Sequence, residues 1–333
     1  MAHIQNPLVA QRSLLASKAL VDLPNLAVVS VSGVERLEWL HSLLSANLRS
    51  LQPGATAQAL LLDANGRIES MLFLQDDGEQ TRIVVEREQS ANLVVFLRKM
   101  VFRSKVAVQD TIDSFAVIGS WAQPLAGAIA TLADNWHDTV AGGYRYGVAP
   151  SEPWSLQLNL VTPEQRAAHQ ADPNTDWAGI DALDALRIAA HRPALAELDE
   201  KTIPHELDLL ATAVHLSKGC YRGQETVAKV HNLGHPPRRL TLLHLDGSNH
   251  LLPLPGASVE AAGETRGRVT SAANHHEMGP IALAVLSRSV DPEAQLIVVG
   301  EHEPIAATQE VIVPVDAGKV ANVPRSSLLG KTR

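Results

Sequence analysis

The stretch at positions 218–225 reads Lys218-Gly219-Cys220-Tyr221-Arg222-Gly223-Gln224-Glu225 and contains the only cysteine of the chain. Its glycines and charged residues are typical of a loop rather than of a buried strand. Lys218 and Arg222 flank Cys220, and nearby cations favour the thiolate, which is the reactive and metal-binding form of cysteine. We therefore predict a reactive thiol at Cys220 with Lys218 and Arg222 as its cationic partners; the alternative is a structural thiol on a loop.

The residues after Gly223 favour a short helix. Glu225 and Lys229 have the i,i+4 spacing that supports one. Cys220 would then lie just ahead of a helix N-terminus, whose partial positive charge also favours a thiolate. The octapeptide thus predicts a loop that leads into a helix, with the thiol at the junction.

Length and composition indicate a globular protein of more than one domain. A chain of 333 residues exceeds the size at which one hydrophobic core keeps growing. Hydrophobic residues make up 45% of it, and no apolar run reaches the roughly 18 to 20 residues that span a bilayer. Residues 1–10 lack the basic and apolar regions of a signal peptide. One cysteine excludes an intrachain disulfide framework, so we expect a cytoplasmic protein without a membrane partner.

Charge is distributed unevenly along the chain. The formal net charge of −8 argues against direct binding of nucleic acid. Residues 215–239 are an exception, because five Lys and Arg residues stand there against one Glu, a local net charge of +4. Such a cationic strip suits a polyanionic small molecule, a phosphate-bearing partner or an acidic protein surface; a solvated loop is the alternative.

The first part of the chain alternates strands with single helices. Strands are predicted at 26–31, 59–62, 68–74, 81–86 and near 106 and 115, with a hairpin turn at 63–66. Helices are predicted over 89–100 and from the apolar spacing of Val34, Leu37, Leu40 and Leu44. This pattern predicts an α+β fold with largely antiparallel sheets.

The predicted secondary structure of the rest of the chain changes at the Pro236-Pro237 pair, from mixed strands and helices to strands alone. Before it, a strand at 154–161 and helices at 163–169 and 177–190 follow a segment rich in Ala, Gly and Pro. After it, short strands are predicted at 239–245, 257–261, 267–271, 281–286 and 295–299, which indicates a small barrel or sandwich. We therefore divide the chain into an α+β region at 1–236, made of two subdomains, and an all-β barrel domain at 237–333.

The octapeptide resembles the signature K-G-C-[YF]-x-G-Q-E of the YgfZ-like proteins, which are relatives of the folate-binding aminomethyltransferase of the glycine cleavage system. The resemblance covers nearly the whole chain. Its other matching stretches are Val31-Ser32-Gly33, the helix from Leu37 to Leu44, Leu62-Asp63-Ala64-Asn65-Gly66-Arg67, Ala185-Leu186-Arg187-Ile188, positions 197–206 and Gly267-Arg268-Val269-Thr270-Ser271.

This resemblance implies two α+β subdomains around a central, folate-sized cavity, with a C-terminal β-barrel beside them. It implies tetrahydrofolate as the bound cofactor, with Arg187, Tyr221, Gln224 and Glu225 as cofactor-binding residues. It also implies a role in assembly or repair of iron-sulfur clusters, with indirect effects on tRNA modification. The expected partners are iron-sulfur client proteins or the assembly machinery, and Cys220 is the residue this role needs.

Two positions depart from the family pattern. The aspartate that orients aminomethyl transfer is matched by Ser70 and Met71, neither of which is a carboxylate, and Glu69 should face away from Ser70. The glutamate that hydrogen-bonds the pterin is matched by Ala189. We therefore expect no glycine-cleavage activity, and weakened or differently anchored folate binding, because an unpaired buried polar edge costs about 1 to 3 kcal/mol.

The remaining residues include acidic and histidine side chains that could replace the missing carboxylate or bind a metal. An acidic run could replace the missing glutamate, although such runs are more often solvated loops; it comprises Glu197, Asp199, Glu200 and Glu206. His215, His231 and His235 lack the spacing of a zinc motif, so no bound metal is expected. One cysteine cannot hold an iron-sulfur cluster, which needs about four ligands, so further ligands would come from a client, a second copy or a small thiol.

Three functions remain open on the sequence. The first is an accessory protein for iron-sulfur clusters that acts through Cys220, on a cationic strip facing the folate-type cavity. The second is a folate-dependent one-carbon transferase or demethylase with another base, and the third is a tetrahydrofolate carrier without catalysis. A transferase must turn over a one-carbon donor, a carrier binds folate whether or not Cys220 is present, and the accessory protein needs Cys220 in the cell.

Overall fold

A computed structural model describes residues 4, 6–152, 154–248, 251–301 and 303–321 of the chain. The last part of the predicted barrel domain, 322–333, and part of the N-terminal segment, 1–3 and 5, lie outside the described residues. The α-helices are Pro7–Leu15 (α1), Arg36–Leu43 (α2), Arg87–Lys99 (α3), Pro163–Ala171 (α4), Ile180–Ala189 (α5) and Gln224–Leu233 (α6). Two short 3-10 helices lie at Leu195–Glu197 and Pro204–Leu207.

Sixteen strands form two open sheets and one barrel within the described residues. They are Ala19–Asp22 (β1), Leu26–Ser32 (β2), Thr56–Leu62 (β3), Ile68–Asp76 (β4), Gln80–Glu86 (β5), Ala107–Asp110 (β6), Ala116–Trp121 (β7), Ala130–Ala133 (β8), Leu156–Val161 (β9), Asp176–Ala178 (β10), Arg238–Leu245 (β11), Ser258–Ala261 (β12), Glu264–His275 (β13), Gly279–Ser287 (β14), Leu296–Val299 (β15) and Ile305–Val311 (β16).

The first sheet has the strand order β3-β4-β5-β2-β6 and is antiparallel throughout. Alternation along β4 divides its side chains between two faces. Leu72 and Leu74 enter a core with residues of α2 and α3. Met71 and Phe73 pack instead against the large central core. One face of this sheet is therefore covered by helices, and the other faces the rest of the molecule.

The second sheet has the order β10-β1-β7-β9-β8. Its neighbouring strands are antiparallel except for β1 and β10, where Leu20 is paired in parallel with Trp177. The central core joins apolar residues of both sheets, of α5 and of the outer barrel wall. Because these units share buried surface, α5 is fixed between the second sheet and the barrel.

The C-terminal strands close into a six-stranded barrel with the order β11-β14-β13-β12-β15-β16. A separate cluster fills its interior, with Leu243, Val269 and Leu286 among the residues fully shielded from solvent. The prediction of α+β subdomains followed by an all-β barrel is confirmed. The division at residues 236 and 237 stays a prediction.

Several local predictions need correction. Trp177 was predicted in a helix but lies in β10, because it pairs with β1, a strand more than 150 residues earlier. Val34 was predicted on a buried helix face but is 85% exposed, since α2 begins only at Arg36. The sequence patterns also missed α1, β1 and β16. No helix among the described residues is both long and apolar enough to cross a membrane.

Candidate functional site

The cysteine loop, residues 217–223, has buried anchors and an exposed tip. Cys220 is a free, exposed cysteine, and Gly219 beside it is exposed as well. Lys218 and Tyr221, on either side of these two residues, are buried. The thiol is thus displayed by a loop whose flanking side chains are held inside the protein.

Lys218 is anchored away from the thiol. Its ammonium donates hydrogen bonds to the carbonyl oxygens of His41, Leu44 and Ala46, the last at 2.9 Å. It also lies 4.9 Å from the centroid of the Tyr221 ring. These carbonyls belong to the end of α2 and the turn after it, where the last helical carbonyls need donors. The predicted role of Lys218 as a free cation at Cys220 is therefore corrected to that of a buried cap, and burial lowers its pKa to about 8.

Arg222 is the cation that remains at the surface of the cysteine loop. Its guanidinium donates to Glu69 Oε2 at 2.9 Å and lies 5.8 Å from the centroid of the Phe96 ring. Both members of the ion pair are about two-fifths exposed, at 40% and 39%. Glu69, which we expected to face away from Ser70, is exposed while Ser70 is buried. Arg222 therefore joins the cysteine loop to β4 and α3.

Gly223 ends the cysteine loop and caps α6 with a left-handed φ of 82°. The helix predicted to follow it is present from Gln224 onward. Gln224 closes the loop, because its side-chain amide donates to the Lys218 carbonyl at 3.1 Å. Glu225 is exposed on the first turn of α6. The predicted arrangement of the thiol ahead of a helix N-terminus is thus found.

The predicted cationic strip is not a continuous surface. Arg238 is held by Asp199 and Glu206, and Arg239 is buried against Thr241 and Gln309. Lys218 is buried too, which leaves only Arg222 and Lys229 as exposed cations of the strip. Local charge predicts a strip, but its members are dispersed because carboxylates and carbonyls distant in sequence bind them.

A central cavity of about 130 Å³ lies between the two open sheets. One wall is formed by β4 and β5, and the opposite wall by β9 and α5. Its apolar lining includes Met71, Phe73, Val84, Leu156, Leu158 and Leu183. Its charged lining includes Glu86, Asp134, Asp184, Arg187 and Arg192. A flat ring with polar edges suits such a lining, because apolar walls accept its faces and a few polar groups fix its edge.

Two of these carboxylates are open to a ligand and one is not. Asp134 already accepts from the Trp154 indole at 2.8 Å and from Arg192 at 2.9 Å. Glu86 accepts only from Asn25, at 3.2 Å, among the described residues. Burial raises the pKa of Glu86. Asp184 is 48% exposed and accepts from Arg187 through one oxygen. Glu86 and Asp184 are therefore the acceptors available to N–H groups of a bound ring.

Comparisons with known proteins agree with this architecture. The tRNA-modifying protein YgfZ of Yersinia enterocolitica serotype O:8 is 28% identical over 268 residues, which cover 76% of this chain and 79% of that protein. The protein of the same name from Vibrio vulnificus strain CMCP6 is 26% identical and covers 90% of this chain and 94% of its own. The glycine cleavage system aminomethyltransferase T of Bartonella henselae superposes with a TM-score of 0.70 at 16% identity, covering 95% and 91%. No protein-family model matches the chain.

The chain is thus similar to YgfZ proteins over most of its length and shares the fold of the glycine cleavage aminomethyltransferase. The two positions matched to the aminomethyltransferase aspartate, Ser70 and Met71, lie in different environments. Met71 lines the cavity, whereas Ser70 is buried and donates to the Glu69 carbonyl at 2.8 Å. The position that faces the cavity therefore carries a thioether, which cannot act as a carboxylate.

The residues predicted to bind the cofactor are separated in this YgfZ-like structure. Arg187 lines the cavity, but its guanidinium is already bound by Asp184, Glu197, Ser271 and the Arg192 carbonyl. Tyr221, Gln224 and Glu225 are not among the residues that line the cavity, and neither is Cys220. The expectation that the thiol faces the cavity is therefore corrected: the thiol and the cavity are two separate features of the surface.

Ala189 is buried in the central core and does not line the cavity. The cavity-facing positions of α5 are Ile180, Leu183, Asp184 and Arg187, which follow helical spacing. Ala189 comes two residues after Arg187 and so points elsewhere. The acidic run lies outside the cavity lining: Glu197 is bound to Arg187, Asp199 and Glu206 are bound to Arg238, and Glu200 is exposed. Sequence reasoning missed Glu86, which becomes visible only when the two sheets face each other.

The histidines near the cysteine have partners of their own. His231 Nδ1 lies 2.8 Å from the Tyr146 hydroxyl, and His235 Nδ1 lies 2.8 Å from the Ala317 carbonyl. His215 Nδ1 accepts from the Ser217 backbone at 3.2 Å. The described residues contain no group of three His, Cys, Asp or Glu side chains that could hold a metal ion.

Proposed function

We propose that this protein is an accessory factor with a tetrahydrofolate-type cavity that supports assembly or repair of iron-sulfur clusters in client enzymes. It acts through Cys220 and thereby affects tRNA modification indirectly. The observation that carries the proposal is the exposure of Cys220 on a loop anchored by Lys218 and Tyr221. The relatives called tRNA-modifying proteins support the link to tRNA modification.

The chemistry assigned to Cys220 is that of one ligand among several. An iron-sulfur cluster needs about four thiolate or imidazole ligands, so the client or a small thiol supplies the others. An exposed thiol on a fixed loop suits this task, because a client can reach it without unfolding of the loop. An accessory role of this kind places the protein in the cytoplasm, where a lone thiol stays reduced.

The cavity is the second part of the proposal. When bound, tetrahydrofolate supplies a ring that can carry a one-carbon group or act as a reductant. The edge of that ring presents N–H groups. Glu86 and Asp184 would accept from that edge, while Met71 and Leu158 would contact the ring faces. The residues present fit such a ring, and Glu86 supplies a carboxylate from β5 that does not depend on position 189.

The experiment is complementation of a strain that lacks the gene. Wild type, Cys220→Ser and Ser217→Ala are expressed at equal levels, and an iron-sulfur enzyme activity and a cluster-dependent tRNA modification are measured. We expect wild type and the exposed-residue control Ser217→Ala to restore both, and Cys220→Ser to restore neither while keeping its melting temperature. Full rescue by Cys220→Ser would remove the thiol from the function.

A second function is favoured by one observation. Glu86 is a cavity carboxylate whose pKa is raised by burial, which is a property of general bases. A folate-dependent one-carbon transferase could use it in place of the absent aspartate. This alternative requires turnover of a one-carbon donor with tetrahydrofolate. That turnover should be lost in the Glu86→Gln variant and retained in the Cys220→Ser variant. Folate binding that does not require Cys220, without turnover or rescue, would instead indicate a carrier.

A further inference from the structure

The end of α3 and the turn after it form an exposed cationic segment. Residues 90–109 contain four Lys or Arg residues and no Asp or Glu, although the whole chain has a net charge of −8. The four are Arg98, Lys99, Arg103 and Lys105, and all are exposed. Within the described part of the chain, their side chains have no ion pair or hydrogen bond. This segment therefore presents positive charge that the protein itself does not neutralise.

Two apolar side chains lie among these cations. Val95 is 67% exposed, and Phe102 is 83% exposed. The buried face of α3 is formed by other residues, Ser90, Leu93, Val94 and Leu97. Phe102 also has a left-handed φ of 43°, which is rare for a bulky side chain. The five residues Val95, Arg98, Lys99, Phe102 and Arg103 are called the docking face below.

Helix α3, which carries three residues of the docking face, contacts the cysteine loop. Phe96, next to Val95 in the sequence, lies under the Arg222 guanidinium at 5.8 Å. Arg222 is two residues from Cys220 and is tied to Glu69. A partner that covers the end of α3 would therefore lie on the helix that the cysteine loop contacts.

We propose that the docking face binds an acidic, partly apolar protein surface, that of the iron-sulfur client, and holds it beside Cys220. This inference rests on the proposed function. Charge complementarity identifies the partner as anionic, because the docking face carries three exposed cations without an ion pair among the described residues. Aromatic, aliphatic and arginine side chains together are typical of the centre of a protein interface. A nucleic-acid surface would instead require a strongly basic domain, which a chain of net charge −8 does not provide.

The test is photo-crosslinking in the complemented strain. Phe102→p-benzoylphenylalanine keeps an aromatic ring at the docking face, and Val148→p-benzoylphenylalanine is the matched control, since Val148 is 88% exposed elsewhere. We expect position 102, and not 148, to crosslink to acidic proteins that carry iron-sulfur clusters. Adding Lys99→Glu and Arg103→Glu should reduce the yield about tenfold, because like charges then face the partner. The control pair Lys201→Glu and Lys229→Glu should leave it unchanged.

Addition of Cys220→Ser separates this inference from the proposed function. Crosslinking should persist in that variant while rescue is lost, because docking does not require the thiol. Crosslinks only to proteins without iron-sulfur clusters would overturn the inference. Crosslinks to RNA or to a second copy of this chain, equal yields at 102 and 148, or a yield unaffected by charge reversal in a folded variant would overturn the inference.

Discussion

Gly66 and Gly223 lie against each other where the β3–β4 hairpin turn meets the start of α6. A Cβ atom added to Gly223 would lie 2.8 Å from Gly66 Cα and 2.6 Å from the Asp63 carbonyl oxygen. Both glycines have positive φ angles, 76° and 82°. The contact fixes the end of the cysteine loop against the hairpin, and it leaves no space for a side chain at Gly223.

Gly223→Ala is therefore expected to destabilise the protein. The left-handed conformation alone costs an alanine about 1 kcal/mol or more, and the clash with Asp63 adds to it. Thermal unfolding should show a clear fall in melting temperature, accompanied by altered alkylation of Cys220 by iodoacetamide. Gly219→Ala is the matched control, because nothing lies within 4 Å of a Cβ added there. Equal melting temperatures for the two variants would contradict the close contact.

Lys218→Met tests whether Lys218 acts on the fold or on the thiol. The substitution leaves the carbonyls of His41, Leu44 and Ala46 without their donor. An unsatisfied buried acceptor costs about 1 to 3 kcal/mol, so we expect a loss of about 3 kcal/mol in urea denaturation. Lys229→Met, an exposed lysine on α6, should change stability little. A fully stable Lys218→Met variant that fails to rescue would instead assign Lys218 to the chemistry of Cys220.

Local patterns predicted much of this fold. The β3–β4 hairpin follows from its Asn65-Gly66 turn, and α6 follows from the residues after Gly223. The helix α1 was missed although its signals are present: the Asn6 side chain accepts from two backbone N–H groups, and Pro7 begins the helix. Because short segments of this kind depend on caps rather than on periodicity, the apolar pattern did not reveal α1.

Long-range partners account for what the sequence could not predict at the site. Lys218 is near Cys220 in the chain, yet its acceptors lie more than 170 residues earlier. Arg238 belonged to the predicted cationic strip but is neutralised by Asp199 and Glu206. Spacing reports which residues are neighbours along the chain, and charge compensation depends on neighbours in space. The same limit hid Glu86, whose position in the cavity depends on how the two sheets face each other.

His205 should make stability depend on pH. It is buried, its Nε2 lies 3.0 Å from the Val227 carbonyl, and burial lowers its pKa to about 4. The unfolded histidine titrates near 6.5, so between about pH 4 and 6.5 the unfolded state binds the additional proton. Stability supplied by neutral His205 is therefore lost as the pH falls through this window, by an amount on the order of 3 kcal/mol.

Urea denaturation of wild type and His205→Gln across this range measures that contribution. The difference in free energy of unfolding between wild type and His205→Gln should become smaller as the pH falls, because only wild type carries the buried histidine. Burial raises the pKa of Asp208 to about 6, so its contribution to stability has the opposite pH dependence. Both proteins contain Asp208, and its contribution therefore cancels in the difference. His169→Gln, on a partly exposed histidine of α4, is the control. A difference independent of pH would contradict the buried neutral state of His205.

Glu86, which lines the cavity, should govern folate affinity. If the Glu86 carboxylate accepts from the ring edge, Glu86→Gln removes a charged hydrogen bond worth about 1.5 to 3 kcal/mol, which is at least a tenfold loss of affinity. Calorimetric titration with tetrahydrofolate measures this loss, and Glu88→Gln, on an exposed residue two positions later, is the control. Burial raises the pKa of Glu86. Wild-type affinity should therefore fall on acidification as the carboxylate becomes protonated, while the affinity of Glu86→Gln should change less. Equal affinities for the three proteins would show that the ring is anchored by other residues.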